Sequence, residues 1–245
     1  MSASQSKRSR RRAKGKNQAS EFVLSLNEIS PKTENQKLAF EYFYDNRNLL
    51  LHGLPGTGKT FVAMFLALKE LEDEYVDRIH IIRSAVPTRD MGFMPGKLSE
   101  KAQVYEFPYI TIAQELYNKS DAYSMLKSKG KVSFSTTSFI RGITLDNSVI
   151  IIDEAQNMSY HELSSIITRI GTNSRIIICG DVRQDDLTSP RFKEISGLGE
   201  IMKILQKMNK ISCVEFDVDD IVRSDFVKDF IVAKDHYERE RRYLE

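Results

Sequence analysis

Residues 53–60 read Gly-Leu-Pro-Gly-Thr-Gly-Lys-Thr and fill the pattern G-x-x-x-x-G-K-[ST] without a mismatch. An apolar run, Asn48–His52, precedes them, and a helical pattern, Phe61–Leu68, follows. Strand, glycine loop and helix in that order make a phosphate cradle. Gly53, Gly56 and Gly58 let the main chain curl so that its N–H groups face a polyphosphate. Leu54, Pro55 and Thr57 complete the turn, and the positive end of the following helix adds to the attraction. Lys59 reaches the terminal phosphates, and the Thr60 hydroxyl is a ligand for Mg²⁺. A chain with this segment is expected to fold as α/β and to bind a nucleotide.

The remaining apolar runs fit that expectation. Ile79–Ile82, Val149–Ile152, Arg175–Cys179 and Ile211–Phe216 are short and rich in residues branched at Cβ. Such runs, alternating with helical stretches, suit a mostly parallel sheet covered by helices on both faces. Helices are expected near 33–45, 59–73, 109–118, 121–129, 159–169, 197–208 and 222–238. The stretch 84–148 is too long for one crossover and is read as an insertion with a further strand near Val132–Ser135. The ordered domain is expected over 21–238, followed by a charged end at 239–245.

Two more strand ends carry chemistry. Val149–Ile152 runs into Asp153-Glu154-Ala155-Gln156-Asn157. A buried strand delivers both acids to the edge of the sheet where the phosphate loop sits, on a strand expected to neighbour the loop's own. Asp153 is assigned to the Mg²⁺ shell, and Glu154 to orienting the attacking water and accepting its proton. A solvated acidic turn is the plain alternative. Ile176–Cys179 runs into Gly180-Asp181-Val182-Arg183-Gln184. Here Gln184 is a candidate for sensing the γ-phosphate or placing water, and Asp181 for buttressing the metal site. An ordinary strand–turn is the alternative.

Bulk properties exclude other classes. No apolar run approaches the ~20 residues of a membrane-spanning helix. Cys179 and Cys213 stand alone, with neither disulfide nor zinc spacing, so a reducing cytoplasm is expected. The net charge of +2 conceals an asymmetry. Seven basic residues and no acid fall within residues 1–20, leaving 29 basic against 34 acidic residues elsewhere, a net charge of −5. The tail is expected to be disordered. It is either an arm that binds nucleic acid in a salt-dependent way or a solubilising extension.

The segments G-L-P-G-T-G-K-T, I-I-D-E-A-Q-N and G-D-V-R-Q-D-D-L resemble the nucleotide-site motifs of PhoH-like proteins, a family related to the superfamily 1 helicase core. The resemblance continues through Arg89–Lys97, Arg141–Leu145, Thr168–Gly171 and Asp220–Ser224 and covers about residues 30–235. It implies a RecA-like P-loop ATPase core, ATP with Mg²⁺, and association with RNA or DNA. It also maps Gln36 onto a glutamine that reads adenine, although the residues alone suggest a surface helix position. Some relatives carry a PIN-type nuclease domain; the thirty residues before the core lack its acidic cluster, so ribonuclease activity is not expected.

The chain has room for one RecA-like domain, so the arginine that phosphoryl transfer wants from outside the loop is expected from a neighbouring subunit. This points to a homo-oligomer, hexameric by analogy with RecA-like rings. Arg223 is the first candidate, then Arg169 and Arg183; a solvated charge is the alternative for each. Phe93, Tyr105, Phe107 and Tyr109, among Arg89, Lys97 and Lys101, suit a single strand of RNA or DNA or else the insertion's own core. Three functions remain open: an ATPase, helicase-like and acting on nucleic acid; an ATP-sensing nucleic-acid-binding regulator; and a P-loop kinase.

Overall fold

The computed structural model describes residues 24–84, 98–137, 143–182 and 196–244, without the side chains of 98–102, 239 and 241–244. The basic tail 1–20, Arg89, Phe93, Lys97, Arg183 and Gln184 lie outside the described residues.

Six strands form one sheet: β1 (Asn48–Gly53), β2 (Arg78–Arg83), β3 (Val132–Thr136), β4 (Ser148–Asp153), β5 (Arg175–Gly180) and β6 (Ile211–Phe216). Their order is β3-β2-β4-β5-β1-β6, and the sheet is parallel with helices flanking it. All six expected strands are present. Every residue of β4 and β5 is buried, which is why these strands read as unbroken apolar runs rather than alternating ones. One expectation is corrected: β4 does not neighbour β1. β5 stands between them, paired with β1 from Leu49↔Ile177 to His52↔Gly180.

Seven α-helices occur among the described residues: α1 (Glu34–Tyr44), α2 (Lys59–Glu72), α3 (Leu98–Tyr117), α4 (Ala122–Ser128), α5 (Tyr160–Ile167), α6 (Leu198–Leu205) and α7 (Asp225–Leu244). α2 is buried on all sides over Val62–Leu68, as an all-round apolar helix must be. α3 begins eleven residues before the expected start, running straight through Pro108. A proline inside a helix removes one N–H and crowds the preceding turn. Packing overrides it here. Glu106, buried just before the proline, accepts from Tyr123 Oη at 2.8 Å and from Lys127 Nζ at 2.6 and 2.8 Å, both on α4. Tyr109, just after it, is fully buried.

The chain divides into two compact units. One takes Met64–Ile152 and Ser165–Ile176 with the described residues before Ser30. Its buried ion pair joins Arg175 Nη1 to Glu70 Oε1 at 2.9 Å. An extended strap also belongs to it: Leu24 and Leu26 are buried, and the Leu26 and Asn27 N–H groups donate to Glu72 Oε1 and Leu116 O, both at 2.9 Å.

The other unit takes Ser30–Ala63, Asp153–Ser164 and Ile177–Glu245. In it β1 pairs with β6 from Asn48↔Ile211 to Gly53↔Phe216. The strands approach so closely at the end that a Cβ on Gly53, whose φ is +122°, would lie 2.0 Å from the Phe216 carbonyl oxygen. That oxygen accepts from the Leu54 N–H at 3.0 Å. After β6, a short 3-10 turn, Val218–Asp220, ties to α1: Asn35 Nδ2 donates to Asp220 Oδ2 at 2.7 Å.

Two outcomes follow from this unit. Gly53→Ala is expected to destabilise the protein by more than about 2 kcal/mol, because strain and overlap act together. Urea unfolding reads this, and an unshifted midpoint would contradict the β1–β6 register. The second concerns Asp220. Burial pushes its carboxyl upward, but hydrogen bonds from the Thr33 hydroxyl, the Asn35 side chain and the backbone N–H groups of Asp217 and Asn35 outweigh burial and hold it below the ordinary 3.8. Its contribution is therefore complete above pH 3.8 and is lost as pH falls through the lower folded value. Asp220→Asn is expected to flatten the fall of stability over that acidic window in an acid titration of the unfolding midpoint.

Candidate functional site

The phosphate loop is built from β1 outward. Leu49–Leu51 are fully buried and fix the strand, and α2 begins at Lys59. The three glycines take φ of +122°, +76° and +84° at 53, 56 and 58, a region that side chains rarely adopt. Each glycine also serves a close approach. At Gly56 a Cβ would meet Arg223 Cγ at 3.1 Å and Ile231 Cδ1 at 3.2 Å; at Gly58 it would meet Gln36 Nε2 at 3.0 Å.

The loop's carbonyls are tied down. Gly53 O and Leu54 O accept from Lys59 Nζ at 2.9 and 2.6 Å, and Leu54 O also accepts from Thr57 Oγ1 at 2.9 Å. Gly56 O accepts from Val222 N–H, Thr57 O from Gln36 Nε2, and Gly58 O from Val62 N–H. Five of the six carbonyls from Gly53 to Gly58 thus have a donor within the chain. A carbonyl oxygen free to swing toward an anion would repel it, so this arrangement suits an anionic ligand.

The strand ends meet the helix start. Thr60 Oγ1 donates to Asp153 Oδ1 at 3.0 Å, and Asp153 is only 3% exposed. Burial pushes the Lys59 ammonium below its ordinary value, against the opposing charges of Asp181, Glu154 and Asp153. Those three acids therefore share the field of one lysine. Beside them Cys179 is buried, and desolvation raises its thiol well above the usual range, which keeps it neutral.

Glu154 breaks the strand. Its backbone is left-handed, at φ 52° and ψ 44°, an uncommon state for a glutamate. Successive residues of a strand face opposite sides; the left-handed turn lets Asp153 and Glu154 both influence Lys59. The Glu154 carboxylate is held by Gln156. Gln156 Nε2 donates to Glu154 Oε2 at 2.5 Å, while its Oε1 accepts from the Asp181 N–H at 3.1 Å. Gln156 is buried and joins the end of β4 to the end of β5. It stood in the sequence motif without a role, because residue spacing does not reveal a hydrogen bond to another strand.

Other expected residues divide. Gln36 is 5% exposed, which corrects the surface position suggested by its residue context. Its amide donates to Thr57 O at 3.0 Å and accepts from Lys32 N–H at 2.9 Å. Arg223 lies along Gly56 of its own chain's loop. Arg169 belongs to the other unit, where its buried Nε has no hydrogen-bond partner. Arg183 and Gln184 lie outside the described residues. Of the aromatics, Tyr109 is core, its ring 5.7 Å from that of Phe134. Tyr105 lies under the Arg83 guanidinium at 5.8 Å, and Phe107 is exposed.

A metal must be tested against these groups. Among the described residues no cluster of three or more His, Cys, Asp or Glu is arranged to hold one. Mg²⁺ seldom asks for such a cage; it takes one or two oxygen ligands from protein and the rest from phosphate and water. The adjacent hydroxyl of Thr60 and carboxylate of Asp153 are a hard-oxygen pair of that kind.

Comparison with known proteins agrees with these features. The family model described as PhoH-like protein matches residues 28–235. A PhoH-like protein of Mycobacterium leprae is 34% identical over 213 residues, covering 86% of this chain and 59% of the relative. One from Bacillus subtilis is 35% identical over 192 residues, covering 77% and 59%. The chain thus spans about three fifths of the length of these curated relatives. Among solved structures, the large terminase of a thermophilic bacteriophage aligns with TM-score 0.48 at 14% identity, over 82% of this chain and 49% of its own. With a family match over most of its length and the loop, acids and buttresses in place, the chain belongs to the PhoH-like protein family.

Proposed function

We propose that this chain is a Mg²⁺-dependent ATPase, hydrolysing ATP to ADP and phosphate in association with single-stranded RNA or DNA. The observation that carries the reading is the 3.0 Å contact between Thr60 Oγ1 and Asp153 Oδ1 at the foot of a carbonyl-locked phosphate loop. Thr60 and Asp153 would hold Mg²⁺, which when bound neutralises charge on the phosphate oxygens.

The chain's own groups do the rest. Lys59 exchanges its carbonyl partners for phosphate oxygens, while Thr57 Oγ1, Val222, Gln36 and Val62 keep hold of the carbonyls of Leu54, Gly56, Thr57 and Gly58. Glu154, fixed by Gln156, orients a water and takes its proton as the water attacks the γ-phosphorus. Arg223, expected from the sequence to act on a neighbouring subunit's loop, lies beside Gly56 of its own loop and supplies positive charge there, and Gln184 senses the γ-phosphate. Gln36 sets the Thr57 peptide and marks the adenine side. The basic tail by its sequence, and Tyr105 and Phe107 by their chemistry, support contact with a nucleic-acid strand. A cytoplasmic location and self-association complete the reading.

The deciding assay is phosphate release from ATP with Mg²⁺, with and without single-stranded RNA or DNA. Glu154→Gln is expected to lower kcat by about 10²-fold or more while ATP still binds. Full turnover in that variant would remove Glu154 from the chemistry. ATP binding with negligible release by the unaltered chain would favour a sensor, and transfer of the phosphoryl group to an added acceptor would favour a kinase.

Gln156→Glu tests the bridge. Two carboxylates at that separation cannot both ionise freely, so the pKa of the pair's second proton rises. The acid limb of the kcat profile is expected to move up by about one pH unit or more, with KM for ATP little changed. An equal loss at every pH would mean that Gln156 only supports the fold.

A further inference from the structure

The last helix presents two opposite faces. One side of α7 is partly covered at Lys228, Ile231, Val232, Asp235 and Glu238, and Ile231 reaches the phosphate loop at Gly56. The other side shows Phe226, Phe230 and Tyr237, which are 81%, 61% and 66% exposed, with exposed Ala233 between them. Positions 226, 230, 233 and 237 alternate steps of four and three residues, the seam spacing of a coiled coil. Three large rings in one line on a surface helix are more than the scattered apolar residues every surface carries.

Charge along the edges of the seam selects its occupant. One edge carries Val227 and Lys234, the other Asp229 and His236. When two such helices lie parallel, the edges that meet are unlike, and Asp229 falls opposite Lys234 of the second copy, five residues on. Symmetry gives this pair twice. In an antiparallel pair like edges meet, and Lys234 meets the edge that carries Val227 and Lys234, which offers it no carboxylate. Among the described residues Lys234 pairs with Glu238, at 3.5 Å and exposed, a weak contact that is readily exchanged.

We propose that the Phe226–Phe230–Tyr237 face of α7 is the contact between two copies of this chain, paired in parallel about a two-fold axis. The same patch serves both partners, as a two-fold contact requires. Aromatic rings fill the seam, Ala233 lets the helices approach at its centre, and the Asp229–Lys234 pairs set direction and register. This gives the proposed self-association its surface and does not depend on ATP hydrolysis. Because the covered side of the same helix bears on Gly56, the pairing surface lies one helix away from the phosphate loop.

Light scattering on the full chain, without nucleotide, tests this directly. The expected mass is twice 28.2 kDa at tens of micromolar. Phe226→Glu with Phe230→Glu is expected to give a monomer with unchanged circular dichroism, since both rings are already in solvent. Lys234→Asp is expected to weaken pairing by about threefold or more, and adding Asp229→Lys to restore it. Ala233→Cys is expected to form an intermolecular disulfide on oxidation. A monomeric wild type, an assembly whose mass ignores the phenylalanine changes, or a charge swap that fails to restore pairing would each overturn the proposal. Phosphate release is measured separately, so failure of pairing and failure of the ATPase reading remain distinct.

Discussion

A threonine hydroxyl and an aspartate carboxylate, 3.0 Å apart, join the start of α2 to the end of β4. The rest of the site is arranged around that contact. α2 reaches it only because Gly53, Gly56 and Gly58 turn the chain between strand and helix. β4 reaches it because four isoleucine and valine residues carry Asp153 through a fully buried strand. A buried carboxylate needs hydrogen-bonding or charged partners. The hydroxyl supplies one, and the Lys59 field adds a second stabilising influence.

The loop itself is held by neighbours that do not belong to its motif. The Phe216 carbonyl, the Val222 N–H and the Gln36 amide each grip one of its peptides. These residues come from β6, the segment after it, and α1. The phosphate cradle is therefore a product of the whole unit, and its shape is set by contacts between residues far apart in the sequence. Such preorganisation matters because an anion-binding loop that must rearrange on binding loses affinity to that rearrangement.

The sequence made the skeleton legible for a physical reason. Strands buried on both faces leave continuous apolar runs, and a glycine loop between strand and helix is a rare string. β1, β4 and β5 could be read this way, whereas β3, Val132-Ser133-Phe134-Ser135-Thr136, alternates and is mostly half-buried. The helix boundaries were less legible where tertiary contacts decided them. A helix was expected only from 109, yet the buried Glu106 with its tyrosine and lysine partners keeps α3 continuous through Pro108. Gln36 looked like a surface residue, because nothing in its neighbours reveals that Thr57 will lie against it. The bridge made by Gln156 was hidden for the same reason: it depends on where β5 ends, and apolar runs alone do not say that β5 lies between β1 and β4.

Glu154 shows what this architecture asks of one backbone. A glycine or asparagine would rest more easily in a left-handed conformation, and the native glutamate carries a strain of order ~1 kcal/mol. Relaxing the main chain there would remove the carboxylate that Gln156 holds. Thermal robustness and a positioned acid are therefore in direct competition at this residue. A search for heat-resistant variants that scores melting temperature alone would be drawn to position 154 and would return a sturdier protein with a blunted site.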